Sequence, residues 1–166
     1  MHLREYAELV KPFGWHIQMY TNLATIKDLA SVIKDLPVPV VFDHFGHLAA
    51  SGGLHQDGYE QMLKLVRGGN VYVKLSALYR VSEKHSYEDI EPFVKSLITA
   101  RPDRLIWASD FPHTMPAPGT KRSKDVIEHF RPEDDGHALN LISQWVSSPS
   151  VLNKILVDNP QHLYWS

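Results

Sequence analysis

Four short apolar, β-rich runs, each followed by helical periodicity, limit what this chain can fold into. The runs are Trp15–Tyr20, Val38–Asp43, Val71–Leu75 and Leu105–Ala108. After the first, Leu23, Ile26, Leu29, Ala30, Ile33 and Leu36 recur at three- and four-residue spacing, as on the buried stripe of a helix. The same spacing follows the second run (Tyr59, Met62, Leu63, Val66), the third (Ile90, Phe93, Val94, Leu97, Ile98) and the fourth (Ala138, Leu139, Ile142, Trp145, Val146). A further helix opens the chain at Leu3, Tyr6, Ala7 and Val10, with a stop near Pro12 and Gly14. Val151, Leu152, Ile155 and Leu156 predict a short helix near the end, and Asn159-Pro160 reads as the cap and first residue of another. The second and fourth runs lack strict alternation, as strands covered on both faces do. Strand, helix, strand in this order predicts parallel strands joined by right-handed crossovers, in a single α/β domain over residues 1–166.

Length then narrows the choice. A closed (β/α)8 barrel takes about 250 residues and rarely fewer than about 200, so 166 residues hold only part of one. An open, doubly wound sheet is the lesser alternative. A formal net charge of −2 gives no electrostatic footprint for nucleic acid or an anionic membrane. The absence of cysteine excludes disulfides and thiolate metal sites. No apolar run approaches the ~20 residues of a membrane span, and Met1-His2-Leu3-Arg4-Glu5 is too charged for a signal peptide. A cytoplasmic location is the resulting expectation.

The polar residues fall at strand ends. Run one ends with Gln18 and Tyr20. Run two ends with Asp43, His44 and His47. Run three carries Lys74 and Ser76, followed by Tyr79 and Arg80. Run four ends with Ser109, Asp110 and His113. In parallel α/β folds the carboxyl ends of the strands share one rim, where ligands bind. His44, Arg80, Asp110 and His113 are therefore predicted near one point. Each has an ordinary reading when taken alone. His44 and Asp110 suit turns or caps, Arg80 a surface charge, and Lys74 a side chain reaching solvent. His47, His55, His85, His129, His137 and His162 show no partner pattern. It is the recurrence at four strand ends that favours a site. The loops His47–Asp57 and Pro112–Ser123 are long enough to serve one. His-x-His, HExxH, Gly-x-Gly-x-x-Gly, the P-loop and Gly-x-Ser-x-Gly are all absent. No cofactor is expected, with zinc on His44, His47, Asp110 and His113 the minor possibility.

Several ordered segments resemble the amidohydrolase-related family (amidohydrolase 2), in its 2-pyrone-4,6-dicarboxylate lactonase-like and sugar-lactone hydrolase branch. They are Gly14-Trp15-His16-Ile17-Gln18, Val40-Val41-Phe42-Asp43-His44-Phe45-Gly46, Val73-Lys74-Leu75-Ser76 with Tyr79-Arg80, Ile106–His113, and Asn159-Pro160 with Leu163-Tyr164. The family fold is a (β/α)8 barrel, and the segments resemble its strands five to eight. The resemblance implies a hydrolase of a lactone or cyclic ester of a carboxylated small molecule. Asp110 would be the carboxylate that activates water and His44 the imidazole that polarises the carbonyl. Arg80, His113, Gln18 and Tyr20 would hold the substrate, with Met19 and Tyr20 the weaker matches. The strand-five amide of Gln18 favours the metal-independent branch. His47 stands where lactonase relatives often carry Arg, and the family's strand-one His-x-His is missing. A Zn-dependent decarboxylase or amidohydrolase and a non-catalytic half-barrel are the competing expectations. Open strand edges further predict a homodimer that completes the barrel.

Overall fold

The computed structural model describes residues 3–114, 124, 125, 127 and 129–165. Helix α1 (Leu3–Val10) runs into a 3-10 turn at Lys11–Phe13. Gly14, at φ +67°, closes that turn by donating its N–H to the Lys11 carbonyl. Four strands follow, β1 (Ile17–Met19), β2 (Val40–Phe42), β3 (Val71–Leu75) and β4 (Leu105–Trp107). They lie side by side in chain order, and every pairing is parallel. Between them run α2 (Leu23–Lys34), α3 (Tyr59–Gly68), the short α4 (Leu78–Val81) and α5 (Glu91–Ala100). After β4 come α6 (Asp135–Trp145), α7 (Pro149–Asn153), a π-helical turn at Lys154–Asp158, and α8 (Asn159–Trp165). The four runs and their helices thus sit where the periodicity predicts. Within the long loop expected over Pro112–Ser123, residues 115–123 lie outside the described residues.

Alternation along the strands divides the sheet into two faces. Val40, Phe42, Val71, Val73, Leu75 and Leu105 belong to the main core with the buried faces of the helices, including Ile26, Ile33, Met62, Phe93 and Leu97. A fully buried side chain of this size stabilises by about 1.5–3 kcal/mol. Asn22 caps α2 by accepting from the Thr25 N–H at 3.0 Å, and Asp134 caps α6 by accepting from that of His137 at 2.9 Å. The opposite face, the inner one of a barrel, holds a separate small cluster of Val41, Tyr72, Ile106 and Leu163. Gln18 pairs in register with Val41, and Lys74 with Ile106, so both share this inner face.

The expected helix does start at Asn159-Pro160, as α8, but Asn159 is not its cap. Asn159 has helical φ/ψ of −67° and −44°, and its N–H reaches back five residues to the Lys154 carbonyl. Pro160 has no N–H to offer and crowds the carbonyl four residues earlier, which the wider π turn accommodates. The Asn159 side chain is freed for another task. Its amide donates to the carbonyls of Pro102 at 2.9 Å and Leu105 at 2.7 Å. This ties α8 to the start of β4 and lays Leu163 across the inner face.

Candidate active site

The carboxyl ends of the strands carry unusual backbone. Among the described residues, the non-glycine positions at positive φ are His44, Phe45, His47, Ala77, Tyr87, Asp110 and His113. All but Tyr87 lie directly after β2, β3 or β4. Such conformations cost of order 1 kcal/mol each and persist where the surroundings impose them. Gly46, also left-handed at φ +67°, shows what imposes one: a Cβ there would stand 2.7 Å from the Met62 sulfur. The corner after β2 is thus pressed onto α3, and this turns His44 toward the rim.

Asp110 is the hub. Its Oδ2 accepts from the Tyr79 hydroxyl at 2.6 Å and from Arg80 Nε at 2.7 Å. Its Oδ1 faces His44 Nε2 at 3.3 Å. The other ring nitrogen of His44, Nδ1, lies 2.8 Å from Ser76 Oγ. Burial alone would raise the Asp110 carboxyl, but the bonds from Tyr79 and Arg80 and the neighbouring cation hold it below the usual carboxylate range. Burial lowers His44 to about 4 against the pull of Asp110 and Asp43, so the imidazole is neutral at pH 7. Burial and the bonded Asp110 raise the Tyr79 phenol well above its ordinary value. Burial opposes the charge on Arg80, yet the Asp110 carboxylate keeps it more firmly protonated than usual. Asp110 does open a turn, its carbonyl accepting from the His113 N–H at 2.9 Å, while Ser109 Oγ accepts from the Phe111 N–H at 3.1 Å and the Asp110 carboxylate is left for the hub.

Around the hub, Tyr20 receives Arg80 Nη1 at 3.4 Å and lays its ring 4.2 Å from His47 and 5.8 Å from His44. His47, without a partner pattern in the sequence, therefore belongs to the cluster. Burial and Arg80 lower its pKa, and its Nε2 is buried with no hydrogen-bond partner. Gln18 lies one layer deeper. Its amide donates to Asp43 Oδ2 at 3.0 Å and accepts from Lys74 Nζ at 2.6 Å. Lys74 also pairs with Asp43 Oδ1 at 3.0 Å, with side chains only 14% and 8% exposed. The expectation that Lys74 reaches solvent is corrected, since alternation on β3 aims it at Asp43 across the inner face. His113 stands to one side. Its Nε2 faces Asp135 at 3.3 Å, and its ring meets those of Tyr79 and Phe111 edge-on.

The structure brings together His44, Arg80, Asp110 and Tyr20, with Gln18 beneath and His113 beside them. The sequence places Tyr79, Ser76 and His47 near the strand ends but gives them no role in the expected hydrolysis. The signal for the first two was their place within four residues after the third run. Among the described residues, no three or more His, Asp or Glu side chains are arranged to hold a metal ion. A guanidinium and a phenol already occupy Asp110 Oδ2, which leaves Oδ1 as the free oxygen of this carboxylate.

Known proteins resemble this chain in sequence and in fold. The profile of the family described as Amidohydrolase matches residues 1–165. The chain belongs to the amidohydrolase family. The 4-sulfomuconolactone hydrolase of Rhizobium radiobacter is 32% identical over 157 residues, which is 93% of this chain and 48% of that protein. The 2-pyrone-4,6-dicarboxylate hydrolase of Comamonas testosteroni is 31% identical, over 98% of this chain and 53% of its own length. A crystal structure of a probable 2-pyrone-4,6-dicarboxylic acid hydrolase from Acinetobacter baumannii, with citric acid bound, superposes with a TM-score of 0.78 at 22% identity. The match covers 96% of this chain and 55% of that one. The chain thus spans about half the length of the relatives it matches, and its fold is a partial (β/α) barrel of this family. Among the described residues no helix is long and apolar enough to cross a membrane.

Proposed function

We propose that this amidohydrolase-family chain carries the strand-five-to-eight half of a lactone hydrolase acting on a carboxylated small molecule. The observation that carries this reading is the asymmetry of Asp110. One oxygen is saturated by Tyr79 and Arg80, and the other is left facing the rim beside His44. A carboxylate held this way is ionised at neutral pH, anchored, and has one lone pair free for a proton. The relatives named as lactone hydrolases support the substrate class.

In this reading Asp110 Oδ1 takes a proton from water as the water oxygen bonds to the lactone carbonyl carbon. The carbonyl electrons move onto oxygen, where a donor from His44 meets the developing charge, a contribution of about 3–4 kcal/mol for a well-placed group. Collapse of the tetrahedral species breaks the ring C–O bond, and Asp110 returns its proton to the departing alkoxide. The product is a hydroxy acid, with atoms and charge balanced. The Arg80 nitrogens not committed to Asp110, with the Tyr20 hydroxyl, face the position a substrate carboxylate would take. His113 and Gln18 are placed to shape the site's flank and floor.

β1 and β4 are the sheet's two edges. Pairing β4 with β1 of a second copy, and the reverse, would continue the parallel order around a closed barrel, and we propose this as the route by which a dimer completes the rim. Light scattering tests it: a mass near that of one 18.9 kDa chain at micromolar concentration overturns the dimer. For the chemistry, a panel of carboxylated lactones is assayed with the protein and with Asp110→Asn. Ring opening by the parent that is lost in the variant is the expected result. Turnover that survives the substitution rejects Asp110 as the base.

A further inference from the structure

The structure assigns Ser76 as the positioning residue that fixes which nitrogen of His44 carries the hydrogen. The assignment rests on the reading of His44 as a carbonyl donor, but it can be examined without any substrate.

Ser76 directly follows β3 and is 2% exposed. Its Oγ lies 2.8 Å from His44 Nδ1, and His44 itself is 6% exposed. A neutral imidazole has one N–H and one bare nitrogen, so this contact can run in either direction. A serine hydroxyl always has one hydrogen to place. If Ser76 accepted from Nδ1–H, its own hydrogen would need a second acceptor, and His44 Nδ1 is the hydrogen-bond partner found for it among the described residues. A buried donor left unmade is costly. If Ser76 instead donates to Nδ1, every hydrogen is placed. The hydroxyl is satisfied, Nδ1 accepts, and Nε2 carries the remaining hydrogen.

The opposite end of the ring agrees. Nε2 faces Asp110 Oδ1 at 3.3 Å. That oxygen belongs to an ionised carboxylate, which accepts and does not donate. A bare Nε2 would set two lone pairs against each other. Serine and aspartate therefore select the same tautomer from opposite sides, with His44 presenting Nε2–H to the rim. Two consequences follow for the proposed chemistry. His44 serves as a donor to a carbonyl oxygen, because its basic nitrogen is the one turned away and occupied. The proton acceptor must then be Asp110. Ser76 acts only through His44 and touches no reacting atom.

The test is a long-range proton–nitrogen NMR correlation on 15N-labelled protein at pH 7, with the His44 signals identified by their loss in His44→Gln. The wild-type ring should show a single Nε2–H tautomer, with Nδ1 shifted as a hydrogen-bond acceptor. Ser76→Ala should convert this to a mixture of tautomers, and Ser76→Thr, which keeps the hydroxyl, should restore the single form. An Nδ1–H tautomer in the wild type overturns the assignment. So does a Ser76→Ala ring indistinguishable from wild type. If Ser76→Ala does not fold, the wild-type spectrum and Ser76→Thr decide the matter. With an active lactone, Ser76→Ala should lower kcat about tenfold or more while KM stays within about twofold. Failure to find any lactone substrate would reject the proposed function and leave the NMR outcome standing on its own.

Discussion

The two faces of the sheet come from the same strands by alternation, yet they are built to opposite ends. On the outer face, Val40, Phe42, Val73 and Leu75 meet helices and form one continuous apolar core. On the inner face, Val41, Tyr72 and Ile106 form a small apolar cluster with Leu163, and above them lies a polar layer of Gln18, Asp43 and Lys74. The outer face supplies the burial that holds the strands parallel. The inner face spends part of that stability on charges and strained corners that make a rim. Valine appears on both, and Val40 and Val41, both at 0% exposure, differ only in the face they enter.

The largest effect belongs to the rim. Asp110→Asn should cut lactone turnover by about a thousandfold or more while lowering stability by only about 1–2 kcal/mol, the cost of leaving the Arg80 guanidinium without its carboxylate, as read by steady-state kinetics beside denaturant melts. A matching loss of stability would mean that the rim also holds the fold, which breaks the division between the faces. Next come the paired valines. Val40→Ala should destabilise by about 2–3 kcal/mol and Val41→Ala by about 1 kcal/mol, because the thinner inner layer relaxes around the lost methyls. Equal values from urea titration would show the faces to be equivalent. Lys74→Met leaves Asp43 without its cation and should destabilise by about 2 kcal/mol, with Lys74→Met/Asp43→Asn recovering part of it. Additive single effects would deny the coupling.

The shallowest effect is in pH. His44 has a folded pKa of about 4 against 6.5 ordinarily, so the native state binds its proton later than the unfolded chain. The stability contributed by a neutral His44 is full above about pH 6.5 and is lost as pH falls toward 4. Asp110, whose folded pKa is lowered, weakens in the same acid direction. Melts across this window should therefore decline with acidity, and His44→Gln should flatten the part of the curve above pH 4. A stability that rises on acidification would contradict both shifts.

Strands and helices were legible because burial on the outer face leaves a period in the chain, as at Ile26, Ile33 and Leu36 or Phe93, Val94 and Leu97. The rim was legible in part, since His44, Arg80 and Asp110 each follow a strand run and parallel strands bring such ends together. Partnership was not legible. Nothing local to Lys74 says that Asp43 waits across the sheet 31 positions earlier. Nothing local to Tyr79 says that its hydroxyl anchors Asp110. His47 looked ordinary because its neighbours, Tyr20 and His44, become neighbours only after a left-handed corner turns the chain. At Asn159-Pro160 the local signal located the helix start but not the role of the asparagine. The pair has the chemistry of a helix start, but the amide is used at long range and the proline is absorbed by a π turn.

Leu163 has a consequence for the polarity of the inner face. The polar bar of Gln18, Asp43 and Lys74 lies one to two residues, or roughly 3–7 Å, before the rim positions Tyr20, His44 and Ser76 along the strands, and Leu163 packs with Val41 and Tyr72 behind it. Leu163 thus sets an apolar patch behind the charged layer, so that the end of β2 and the middle of β3 present two surfaces of opposite character within one short stretch of strand.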